Sequence, residues 1–417
     1  MQRKKAGLLN TNHAKMTKIN DKTSWMWYIL MGMYLVYFAQ STLFPGAAII
    51  GQGLIFLILL IGFVSLIRTL LSPAPVPGPL KWIIALLIVL TIAYILSPKF
   101  VYSRLLSTTS TLNQFKDMVA YFLPIFTGYQ IGLHKRLSPN QWIVIVLILL
   151  TIAINSFLEI KVNAIQRYKQ EESTNNSAYI FLYILPFIPL ILRKYKIMAF
   201  ALLSTCFIFV MMGAKRGAIL CMVGMLIYLM WWYLKKRGVS FNTIVVIQFL
   251  ITALVIGFNY FFTESDYLQN RLKQTLEGGM SHRDVIYSQL WGTWVNAGFP
   301  TQIFGQGSAQ TVIIAGNYAH NDWLELLTDV GLLGVFIYLM IFVSLLHSRN
   351  KLQKHSPEQA AFTAVIVFWF LKTIFSMGMG IMGGISMMLI GTLIGNANAT
   401  RQYEIKRATQ GLKPQAI

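Results

Sequence analysis

The chain has 417 residues, of which 56% are hydrophobic and 12% charged, with a mean hydropathy of +0.58. A soluble domain carries roughly a quarter charged residues, so this composition excludes a soluble enzyme or binding module and assigns the chain to the bilayer. Thirty-five Lys and Arg against 14 Asp and Glu give a formal charge of +21, but most of the excess lies between hydrophobic runs. There it orients helices and meets anionic lipid, and no soluble basic domain remains to bind nucleic acid.

Residues 1–24 are basic and lead into an apolar stretch without a small-residue cleavage site, so they read as a retained cytoplasmic tail. Runs of roughly 17–25 apolar residues, the length that spans a bilayer, recur from there on. Hydropathy predicts about twelve of them, near 25–43, 47–67, 80–97, 117–133, 142–160, 178–193, 197–212, 217–234, 243–262, 329–346, 360–376 and 379–396. Cys206 and Cys221 both fall inside predicted spans, which argues against a disulfide or a metal site. The expected fold is all-α: a polytopic integral membrane helix bundle over residues 25–396, closed by a basic cytoplasmic tail, 397–417.

With the N-terminus inside, every cytoplasmic loop is short and basic, as the positive-inside rule requires. These loops carry Arg68 and Lys81, Lys135 and Arg136, Arg193, Lys194 and Lys196, Lys235 to Arg237, and Arg349, Lys351 and Lys354. The external face has loops at 98–116 and 161–177, a tight Gly213-Ala214-Lys215-Arg216-Gly217 turn, and one large loop from 263 to 319 between the ninth and tenth helices. A connection of about 55 residues is usually functional. Its sequence predicts a helix over Asp284 to Val295, a stop at Gly298-Phe299-Pro300, and a glycine-rich turn at 304–308. No internal repeat is visible, which disfavours transporters built from duplicated halves.

Polar groups near lipid need either water or a role, and three places stand out. Arg216 lies at the outer mouth between two apolar runs with Lys215 beside it. It is either a flanking arginine or part of an anion site, since external loops avoid clustered positive charge and a guanidinium donates two parallel hydrogen bonds to a phosphate. Arg283 opens the expected loop helix, where it either pairs with Asp284 or, if the loop folds back over the bundle, approaches the same anion. His320 sits between the loop and the next helix with Asn321 next to it. It is either structural or a neutral imidazole able to take a proton from an attacking hydroxyl. Asp322, Glu325 and Asp329 follow at i, i+3 and i+7, sharing one helix face. They orient the histidine, act as base, or form a wet face. Gly331 and Gly334 permit close helix packing where the chain enters the bilayer.

These residues resemble the O-antigen ligase and bacterial polysaccharide polymerase superfamily. His320-Asn321, followed after nine residues by Gly331 and Gly334, is similar to its His-Asn…Gly-x-x-Gly signature. Arg216 to Leu220 is similar to its Arg-x-x-x-Leu element at an outer helix end, and Arg283 stands where the family has an arginine in the large external loop. The motif-bearing part is about 205–345; earlier spans match in character alone. The resemblance implies a glycosyltransferase that moves a glycan from undecaprenyl diphosphate to a sugar hydroxyl outside the bacterial inner membrane, with inversion and with no metal or cofactor. It implies that Arg216 and Arg283 hold the departing diphosphate with help from Lys215, that His320 activates the acceptor, and that Asn321, Asp322 and Glu325 support it. Arg271 is the alternative to Arg283 for the second diphosphate arginine.

Three functions remain open on the sequence. A repeat-unit polymerase for O-antigen, capsule or exopolysaccharide would take a glycan acceptor and work with a chain-length regulator. A ligase of the same chemistry would deliver finished glycan to lipid A–core. A lipid-linked sugar flippase would need charged or broken-helix positions near the bilayer midplane, whereas the polar residues here cluster at the outer surface.

Overall fold

The computed structural model describes residues 25–43, 48–103, 107–134, 136–168, 175–238, 241–264, 266, 269–270, 273 and 283–409. The expected tail at 1–24 and Arg271 lie outside them. The described part is an all-α polytopic bundle. It opens with α1 (Trp25–Leu43), α2 (Ala48–Leu70) and α3 (Gly78–Leu96). A short antiparallel hairpin of β1 (Phe100–Ser103) and β2 (Ser107–Ser110) follows, then α4 (Thr111–Phe122), α5 (Pro124–His134) and α6 (Pro139–Tyr168). After α7 (Ala178–Leu182) come α8 (Ile188–Leu192), α9 (Lys196–Met212), α10 (Arg216–Arg237) and α11 (Phe241–Glu264). The large loop holds α12 (Arg283–Val295), α13 (Phe299–Phe304) and α14 (Gln310–Ala315), and the chain ends with α15 (Asp322–Asp329), α16 (Gly331–Arg349), α17 (Pro357–Phe375) and α18 (Gly384–Thr409).

Among the described residues, seven helices are long and apolar enough to cross a membrane, and three shorter apolar helical stretches accompany them. Two expected spans are interrupted. The run at 117–133 breaks between α4 and α5 at Pro124, and 178–193 divides into α7, a 3-10 turn at Leu185–Phe187 and α8. Pro186 and Pro189 explain the second break, because a proline inside a helix removes one hydrogen bond and clashes with the preceding turn. At the other extreme α18 continues past residue 396 to Thr409. The lipid-facing surface is legible on α16: Leu332, Phe336, Leu339, Val343 and Leu346 are exposed, while Ile337, Tyr338, Ile341, Phe342 and Leu345 are buried. That is a two-sided apolar helix with one face on the core and the other left for acyl chains.

Helices α5 and α18 pack backbone against backbone, running parallel. Gly128 and Gly132 on one and Gly391 and Gly395 on the other allow backbones to touch. A Cβ at Gly128 would overlap the Met388 carbonyl, and one at Gly391 would overlap the carbonyl of Ile125. Overpacking typically costs about 1–3 kcal/mol, and here the obstacle is backbone with no rotamer to yield. Gly391→Leu is therefore expected to lower the melting temperature of the purified protein, whereas Gly53→Leu, where an added Cβ meets nothing within 4 Å, should not. Equal melting of the two variants would contradict this packing.

The helices sort the charges. The ends of α2, α8, α10 and α16 and the starts of α3 and α9 bring Arg68, Lys81, Arg193, Lys194, Lys196, Lys235, Lys236 and Arg349 to one end of the bundle. The start of α10, the end of α17, α12 and α15 lie at the opposite end. Arg283 reaches the Phe375 carbonyl there, so the described part of the large loop folds back over that end.

Candidate active site

The site is organised by α15, an eight-residue helix lying just before the α16 span. Asn321 caps it: the side-chain oxygen accepts hydrogen bonds from the N–H groups of Trp323 at 3.0 Å and Leu324 at 3.2 Å. Capping satisfies donors that a helix start leaves unpaired, and it fixes His320 immediately outside the helix. His320 has φ +54°, the left-handed region, which costs a non-glycine residue about 1–3 kcal/mol and persists where surrounding contacts over-determine it.

One of those contacts comes from Glu325 through the Ala319 N–H, and the three carboxylates of α15 correct the expectation of a wet helix face. Asp322, Glu325 and Asp329 are 0%, 1% and 2% exposed. They neither face solvent nor hydrogen-bond the histidine; each ties α15 to a different segment. Glu325 accepts from the Thr311 hydroxyl at 2.7 Å and from the Ala319 N–H at 2.6 Å, the residue before His320. Asp329 accepts from the N–H groups of Ala309 and Gln310, both at 3.0 Å, and so caps α14. Asp322 accepts from the Gly378 N–H at 2.8 Å and the Tyr338 hydroxyl at 2.9 Å, and that hydroxyl accepts from the Trp369 indole. Burial pushes the Asp322 carboxyl up to about 6. It also raises Glu325 and Asp329, and the neighbouring Asp329 charge raises Glu325 further. Carboxyls so enclosed are suited to holding backbone, not to meeting an acceptor.

Gly331 has a different use from the one expected. Its φ of +71° turns the chain from α15 into α16, and a Cβ there would overlap the carbonyl of Ile303 at the end of α13. The close approach is therefore to the loop and not to another membrane helix. Gly334 abuts the side chain of Val330, the residue that joins α15 to α16. The loop is further pinned by the Ser308 N–H on the Ser97 hydroxyl at the end of α3, at 2.6 Å.

The cations gather around His320. Lys215 is the N-cap residue of α10 and Arg216 its first residue, both half-buried. Arg283 is the first residue of α12 and donates through Nη1 to the Phe375 carbonyl at 2.9 Å. It does not ion-pair with Asp284, which is exposed, so the local pairing is excluded among the described residues. Burial first, then the charges of Arg283 and Lys215, hold the His320 imidazole down at about 4. Those shifts bring His320, Lys215 and Arg283 into one electrostatic neighbourhood, with Arg216 adjoining Lys215. Among the described residues neither ring nitrogen of His320 has a hydrogen-bond partner. The arrangement is a neutral imidazole beside two cations.

Sequence reasoning passes over several members of this end. The segment 376–380, which receives Asp322, is one; the pair Tyr179 and Tyr183 is another. Lys372 near the end of α17 donates to the Tyr183 hydroxyl at 2.7 Å. A lone cation in an apolar run is a visible signal; the tyrosines give none.

A family model described as O-antigen ligase matches residues 199–339, about a third of the chain. The matched stretch contains Lys215, Arg216, Arg283, His320 and α15, and stops short of Lys372. No curated protein matches the chain.

Proposed function

The match over residues 199–339 bears out the resemblance to the O-antigen ligase and polymerase superfamily, and on that premise we propose that this multi-pass membrane protein transfers glycan from a lipid-linked donor. The donor is a glycan on undecaprenyl diphosphate, the acceptor is a sugar hydroxyl, and the reaction takes place at the outer face of the bacterial inner membrane. The observation that carries the reading is the neutral His320 beside the charges of Arg283 and Lys215, with no hydrogen-bond partner for its ring among the described residues. In the reaction the acceptor oxygen attacks the anomeric carbon and gives its proton to His320. The bond from that carbon to the diphosphate breaks, and the leaving group takes the electron pair. Arg216, Arg283 and Lys215 neutralise the charge that develops on it. A single in-line attack inverts the anomeric centre.

Within this chemistry we favour a repeat-unit polymerase, since no part of the chain has a feature specific for lipid A–core. The description of the matching family supports a ligase as the second reading. Deletion and complementation with surface glycan read on a gel separates them. A polymerase leaves a single capped unit and no ladder. A ligase leaves no glycan on lipid A–core while lipid-linked polymer accumulates. Unchanged glycan in the deletion strain would remove both.

A further inference from the structure

Lys372 lies in α17, a helix of 19 residues long and apolar enough to cross the bilayer, where its only charged companion is Glu358 in the first turn. It stands in the last turn of that helix, where a lysine ordinarily snorkels into the interface. It is half-buried, donates to the Tyr183 hydroxyl at 2.7 Å, and has its ammonium 5.1 and 5.5 Å from the ring centres of Tyr183 and Tyr179. Among the described residues no carboxylate stands within ion-pair distance of it. Asp322 is an electrostatic neighbour, but its oxygens are occupied by Gly378 and Tyr338. The tyrosines orient the ammonium, and Asp322 acts on its charge without contacting it.

Position gives that charge a meaning. Lys372 precedes Phe375, whose carbonyl holds Arg283, by three residues, about 4.5 Å along the helix axis. Because α17 runs toward the cation cluster, Lys372 is the deeper of the two. It also neighbours Cys221, one turn into α10 below Arg216. Gly217 lets the Tyr179 hydroxyl pack against the first turn of α10, since a Cβ there would overlap it. Lys372 and the arginines therefore lie at the same end of the bundle, Lys372 about one helical turn deeper along α17 than the carbonyl that holds Arg283.

Building on the proposed lipid-linked donor, we propose that Lys372 forms a second, deeper anion subsite that takes the prenyl-side phosphate of a polyprenyl diphosphate, while Arg216 and Arg283 take the sugar-side phosphate. The site then distinguishes a prenyl diphosphate from a prenyl monophosphate by occupying both levels at once. Full-length protein in nanodiscs tests this by equilibrium binding of undecaprenyl diphosphate and undecaprenyl monophosphate. Wild type should prefer the diphosphate. Lys372→Gln should lose about tenfold in diphosphate affinity, the scale of one charge-assisted hydrogen bond, with little change for the monophosphate, and Lys372→Arg should recover most of the loss. Retained diphosphate affinity in Lys372→Gln, or equal loss for both lipids, overturns the subsite. If Lys372→Gln does not fold, the wild-type preference decides: no preference overturns it, and a preference that survives in Lys372→Arg supports it. Failure of this subsite alone is recognisable, because Arg283→Ala would still lose the diphosphate while Lys372→Gln kept it.

Discussion

His320→Ala is expected to lower glycan transfer by about 10²–10⁴-fold, the usual contribution of a positioned proton acceptor, at unchanged expression and melting temperature. The fold should tolerate the change because the histidine is half-buried and outside α15, whose cap is Asn321 and whose anchors are Asp322, Glu325 and Asp329. Alanine at a left-handed position carries a small strain of its own. His320→Asn is the better companion, since asparagine visits that region readily but cannot act as base. Both variants should be equally inactive. Wild-type transfer by either one would remove His320 from the chemistry.

The same residue fixes a pH profile. An ordinary histidine has a pKa near 6.5, and here burial and the cations bring it to about 4 in the unliganded protein. A depressed pKa means the basic form survives acidification, so kcat/KM, which reports the free enzyme, should keep its acid limb near pH 4. An unperturbed histidine would already be about 30-fold depleted in its neutral form at pH 5. Bound diphosphate neutralises the charges of Arg283 and Lys215 and removes two of the three causes of the shift, so the limb of kcat should move upward. A kcat/KM limb near 6.5 would show that neither burial nor the neighbouring cations hold His320 down.

How far the sequence reaches differs from element to element. The apolar runs announce the spans, and the basic loops sort to one end as their spacing requires. The divided helix at 178–193 needs Pro186 and Pro189 weighed against a strongly apolar composition, which hydropathy alone does not do. Asp322, Glu325 and Asp329 show the limit most clearly. Their spacing says they share a face but not which way it points, because the partners that make burial tolerable are backbone N–H groups at Ala309, Gln310, Ala319 and Gly378. No local pattern encodes those. Likewise, the glycines at 128, 132, 391 and 395 stand in the sequence at i, i+4 spacing, but the register that sets α5 against α18 is tertiary. His320 and Asn321 are legible as a pair, and the structure divides their labour into an open imidazole and a helix cap.

Arg283→Ala and Arg216→Ala are each expected to reduce transfer by about 10²–10³-fold, the scale on which a preorganised donor to developing negative charge contributes. The two arginines approach from different elements. Arg216 begins α10, where helix N–H groups and the macrodipole already favour an anion. Arg283 is carried in by the loop, and its Nη1 is spent on the Phe375 carbonyl, which leaves Nη2 and Nε for a ligand. That difference separates their conservative variants. Arg216→Lys keeps a charge at the helix start and should recover part of the activity. Arg283→Lys loses the planar fork that binds carbonyl and phosphate together, and should recover little. Because both act on one leaving group, the double alanine variant should be less impaired than the product of the single effects. Strictly multiplicative losses would mean that the two arginines serve separate ligands, and unchanged donor kinetics in either single variant would remove that arginine from the diphosphate.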